Sequence, residues 1–127
     1  MATIHQETKF PVPPSRVYEV LVDLNEFAKA TGAPTSGGST EGAVFSAFGG
    51  HITGRQLELV PDKRLVQAWR AKTWPEGVYS IVRFELHADG KGTKLVFDHD
   101  GFPEDEKEHL SSGWRAQYWD KIAKYVG

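Results

Sequence analysis

The chain has 127 residues, no cysteine and a formal net charge of −2 at pH 7, with a pI near 6.2. That length suits one domain, residues 1–127, able to bury roughly two thirds of the surface its unfolded form exposes. Without cysteine there are no disulfides, thiolate nucleophiles or cysteine zinc sites, and the charge gives no reason to expect nucleic acid.

"MATIHQETKF" lacks a basic stretch followed by an apolar one, so no secretory leader is expected. No apolar run approaches the ~20 residues of a membrane span, and a cytoplasmic protein is the expectation. In "TIHQETKF", Ile4, Gln6, Thr8 and Phe10 alternate with His5, Glu7 and Lys9, which is the period of a strand. In "PVPPSRVYEVLVDLNEFAKA" prolines open a helix, and Val17, Val20, Leu21 and Leu24 repeat at helical spacing. A second short helix carries Phe27, and "TGAPTSGGSTEGA" reads as a loop.

A run of strands follows. "AVFSAFGG" and "HITGRQLELV" are separated by glycines that mark a bulge or tight hairpin. Pro61 and Asp62 occupy turn positions in "VPDKR". "RLVQAWR" and "VYSIVRFELH" flank "AKTWPEG", and "ADGKGT" connects to the last strand, "KLVFDHDGF". Short connections imply antiparallel pairing. Alternation places Val78, Ser80, Val82, Phe84 and Leu86 on one face, and Leu95, Phe97 and His99 on one face of the next strand. On "RLVQAWR" the bulkier set, Leu65, Gln67 and Trp69, is taken as inward, which leaves Arg64 and Arg70 to solvent.

The chain closes on a helix of about twenty residues introduced by "FPEDE". At ~100° per residue, Leu110, Trp114, Tyr118, Trp119, Ile122, Tyr125 and Val126 share one half of it. Such a face must cover something, and the sheet is the large partner. Ser111, Ser112 and Gly113 in mid-helix read as a bend, a close contact, or bulk kept away from something the helix covers. Arg115 falls within the aromatic half, where a side chain stacked on Trp119 is expected.

"FPVPPSRVYEVLVD", "GRQLELVPDKRLVQAWR", "YSIVRFELHADGKGTKLVFDHDGFP" and "GWRAQYWDKIAKYV" together resemble the SRPBCC, or START-like, superfamily over nearly the whole chain. Within it they are most similar to the family named after the activator of the heat-shock-protein-90 ATPase. The resemblance implies an α+β helix-grip fold: a curved antiparallel sheet of about six strands around a long C-terminal helix, with two short helices after the first strand. It also implies a cavity between sheet and helix, where many members bind small apolar ligands and a minority catalyse reactions. The eukaryotic co-chaperone carries a further N-terminal domain for which this chain has no room. Heat shock protein 90 is therefore not expected as a partner.

No G-x-S-x-G, Walker loop or G-x-G-x-x-G is present. The histidines (His5, His51, His87, His99 and His109) never fall three or four residues apart, so neither metal nor cofactor is expected. The expected activity is binding of a small apolar or aromatic molecule. Trp69, Phe84, Phe97, Trp114 and Tyr118 would supply the walls, and Gln67, Ser80 and His99 the polar contacts. The alternatives are a cyclase- or hydrolase-type enzyme using His99 as general acid or base, and a protein-interaction module. Trp74, on a loop, is expected at the mouth of the cavity or in a contact patch.

Overall fold

The computed structural model describes residues 2–127. Strand β1 (Thr3–Phe10) leads into helices α1 (Pro14–Val22) and α2 (Leu24–Thr31). Pro14 opens α1, where a missing N–H costs nothing. Asp23 caps α2 by accepting from the backbone N–H groups of Asn25 and Glu26, and Gly32 closes it in the left-handed conformation, φ 74°. Strands β2 (Ser36–Gly37), β3 (Val44–Ala47), β4 (Ile52–Val60), β5 (Arg64–Ala71), β6 (Ser80–Asp89) and β7 (Gly92–Asp100) follow. They form one antiparallel sheet in the order β1-β7-β6-β5-β4-β3-β2.

The sheet has seven strands rather than about six. The additional one, β2, lies inside the stretch expected to be loop and pairs Ser36 with Ser46 and Gly37 with Phe45. Two residues are too few for alternation to reveal a strand. Elsewhere the expected register holds. Leu65, Gln67 and Trp69 are buried, in line with Val82, Phe84 and Leu86 on β6 and with Leu95, Phe97 and His99 on β7. Between Gln56 and Glu58 the β4–β5 register shifts, and Leu57 is left 44% exposed.

The terminal helix begins as a 3-10 turn (Glu104–Glu106), continues as α3 (Lys107–Gly113), widens into a π-helical segment (Trp114–Trp119) and finishes as α4 (Asp120–Val126). Helical φ and ψ persist through both junctions. Each residue of a π turn advances by less than an α-helical step, so the 100° wheel loses phase here. Arg115 is accordingly exposed, and it does not stack on Trp119. Among the described residues the cations that lie over rings are Arg16 on Tyr125 and Arg70 on Tyr79. Gln6 ties the helix to β1: its Nε2 donates to the Ser111 carbonyl at 3.0 Å, and its Oε1 accepts from Trp119 Nε1 at 2.7 Å. The aromatic tail covers the inner face of the sheet, with Trp114, Trp119 and Ile122 almost fully buried.

Candidate functional site

Between the terminal helix, the sheet and two of its connections lies an open cleft of about 470 Å³. Four segments wall it. The sheet contributes Ile52, Trp69 and Ala71, the β3–β4 connection Phe48 and His51, and the β5–β6 connection Thr73 and Trp74. The terminal helix contributes Glu106, His109, Leu110, Gly113, Trp114, Gln117 and Tyr118, whose three- and four-residue spacing marks one helix face.

The rings touch one another as a continuous wall. Trp69 lies 5.6 Å from Trp74 and 5.3 Å from Trp114 between centroids; Trp114 and Tyr118 are 4.1 Å apart, and Tyr118 and Phe48 5.5 Å. Trp74 lines the cleft as expected of a mouth residue, but it is buried against Trp69 rather than exposed. Among the described residues no lysine or arginine lines the space, and Glu106 is its one carboxylate.

Three departures from local rules meet at this cleft. Phe48 holds φ at 53°, a left-handed conformation costly for a bulky side chain. The π segment supplies Trp114, Gln117 and Tyr118. Gly113 has ordinary helical angles, φ −62° and ψ −42°, and a Cβ built on it meets nothing within 4 Å. Neither backbone conformation nor close packing requires a glycine there, so the close-contact reading of "SSGW" falls away. Gly113 lines the cleft, so its missing side chain leaves space open there.

The eight residues expected at the site separate into three groups. Trp69, Trp114 and Tyr118 line the cleft. Gln67 and Phe84 border a second, small pocket of about 20 Å³, which Tyr118 also lines. Ser80, Phe97 and His99 line neither. Gln67 donates to Gln56 Oε1 at 3.1 Å, and the Gln56 amide nitrogen is left without a partner.

His99 is fully buried behind the Trp69–Trp114 wall. Trp114 Nε1–H, which can only donate, points at His99 Nδ1 at 3.0 Å, so Nδ1 carries no proton. His99 Nε2–H then donates to Ser80 Oγ at 2.7 Å, and the Ser80 hydroxyl donates to the Trp69 carbonyl at 3.0 Å. Burial lowers the His99 pKa to about 3. The chain of bonds is complete within the protein and holds the two tryptophans in place. The rim residues His51, Glu106, His109 and Gln117 were not singled out for this site from the sequence. Their one legible signal was the spacing of the last three beside the aromatic stripe.

Comparison with known proteins gives a consistent family. The family model described as "Activator of Hsp90 ATPase homolog 1-like protein" matches residues 11–127. A Dictyostelium discoideum protein called activator of 90 kDa heat shock protein ATPase homolog is 33% identical over 121 residues, covering 94% of this chain and 32% of its own length. The human homolog 1 is 29% identical over 118 residues, covering 93% of this chain and 35% of its own. The chain thus spans about a third of the length of these curated relatives. A crystal structure of an HSP90 activator from Plasmodium falciparum has the same fold, with a TM-score of 0.88 at 24% identity over 96% of this chain and 94% of that one. These names stand against the expectation that heat shock protein 90 is not a partner. That expectation rested on chain length, which says nothing about the surface the shared part presents, and it is dropped.

Proposed function

The chain belongs to the Activator of Hsp90 ATPase homolog 1-like family, and from that premise we propose that it binds a small, largely apolar molecule in the cleft between its sheet and its terminal helix. The observation that carries this reading is the convergence of Phe48, Gly113 and the π segment on one aromatic-walled space of about 470 Å³. Local strain and unexplained glycine gather where function needs them, and the volume suits a small molecule. In this reading Trp69, Trp114 and Tyr118, with Phe48 and Trp74, contact the ligand. Gln67, Ser80, Phe84, Phe97 and His99 support those walls from behind. An enzyme using His99 as acid or base gains no support, because that side chain does not reach the cleft.

Gly113→Leu tests the proposal. Its backbone already suits a side chain, and the added atoms enter open space. The variant is expected to fold and to lose binding. Gly113→Ala, at the same position, is expected to gain about 1 kcal/mol of stability from helix propensity. Ligands from a panel of apolar and aromatic compounds are found by the rise in melting temperature that binding to the native state produces. A panel without effect, or binding that survives Gly113→Leu, would sink the reading.

The names of the relatives favour a second function, contact with Hsp90 through the part of the fold they share. Purified chain added to Hsp90 is expected on this reading to accelerate ATP hydrolysis saturably. An unchanged rate at saturating chain removes it.

A further inference from the structure

We infer that the occupant of the cleft is a neutral, flat molecule bearing a carbonyl-type oxygen, and that the Tyr118 hydroxyl is the group that binds this oxygen. The inference rests on the ligand-binding reading above and adds the chemistry of the ligand.

The charge lining the cleft comes first. With no lysine or arginine and one carboxylate at Glu106, the lining offers an anionic ligand no permanently charged partner and one repulsion. Shape comes second. Phe48, Trp69, Trp74, Trp114 and Tyr118 all line the cleft, and contacts with their rings favour a flat aromatic molecule. The hydrogen-bonding groups come third. Trp69 is 3% exposed, and its Nε1–H has no aligned acceptor. It lies beside the hydroxyl of Tyr118, where the sheet wall meets the helix wall.

An indole N–H only donates, so Trp69 cannot accept the Tyr118 hydroxyl proton. A ligand oxygen seated in the cleft accepts that proton from Tyr118. Both protein groups are donors, so the ligand atom must be an acceptor. Burial holds the Tyr118 pKa well above the ordinary tyrosine value, so the group remains a proton-bearing donor throughout the neutral range. Trp69 acts through Tyr118 and is a positioning residue.

The test uses a pair of ligands matched in shape, 2-acetylnaphthalene and 2-isopropylnaphthalene. Their dissociation constants are measured by following the tryptophan N–H resonances of the full chain. The ketone is the less hydrophobic of the two, yet it is expected to bind about tenfold more tightly, the worth of one well-made hydrogen bond in a desolvated site. That ratio is expected to fall to about one in Tyr118→Phe and to drop in Trp69→Phe, which keeps a ring without the N–H. A merely structural role would weaken both ligands together and leave the ratio intact. Equal binding in the unmodified protein, or a tenfold ratio that survives Tyr118→Phe, overturns this inference and leaves the ligand-binding reading standing. Binding of neither compound, nor of any other neutral aromatic ketone, overturns both.

Discussion

His99 is the residue whose chemistry its surroundings constrain most tightly. It is neutral, held by Trp114 on one nitrogen and Ser80 on the other, and its pKa is depressed to about 3 by burial. The sign of the consequence follows. Between pH 6.5 and 3 the unfolded chain takes up a proton at this site that the folded chain refuses, so stability is complete above pH 6.5 and declines as pH falls. From pH 7 to pH 5 the loss attributable to His99 is expected to be roughly 2 kcal/mol. His5 has its pKa raised by Asp98 and then Glu7, and acts in the opposite direction at the surface. The measurement is therefore a difference: urea unfolding at both pH values, for the unmodified protein and for His99→Gln. An identical pH dependence in the two proteins would show that His99 contributes nothing. The sequence placed His99 on the inner face by alternation. It was silent on the partners, which lie 19 and 15 residues away and meet the ring only once β6, β7 and the terminal helix have packed.

At the scale of elements, the terminal helix departs furthest from what its sequence promised. Its existence and its aromatic face were legible, because the apolar spacing is strong and "FPEDE" marks its start. The π segment was not, because a helical wheel assumes a constant step and cannot register a change of pitch. Gln6 is the device that fixes the helix on either side of its widest part. Its amide serves the Ser111 carbonyl before the π segment and the Trp119 indole at its end. Gln6→Leu keeps the side chain's bulk and removes both bonds, leaving two polar groups unpaired in the interior. The expected cost is about 1–3 kcal/mol for each group that stays desolvated. It would appear as a lower urea midpoint with an unchanged slope. A cost near zero would mean that water replaces the amide and that the helix is seated by its rings alone.

For the whole molecule, the sheet was legible because alternation in β5, β6 and β7 leaves little freedom of register, and short connections leave little freedom of direction. The cleft was not legible, because its walls come from four segments separated in sequence and the space between them belongs to none. The same assembly has an optical consequence. All four tryptophans are nearly buried, and they form one connected series, with Trp74 against Trp69, Trp69 against Trp114, and Trp114 stacked 5.8 Å from Trp119. Indoles this close share excitation, so the near-ultraviolet spectrum of the protein should carry the couplings of a single multi-ring chromophore rather than the sum of four. Light absorbed at Trp119, deep under the sheet, can then be lost at Trp74, at the edge of the cleft. A single quencher seated beside Trp69 should dim the emission of the entire series, so the protein carries its own antenna for whatever enters the cleft.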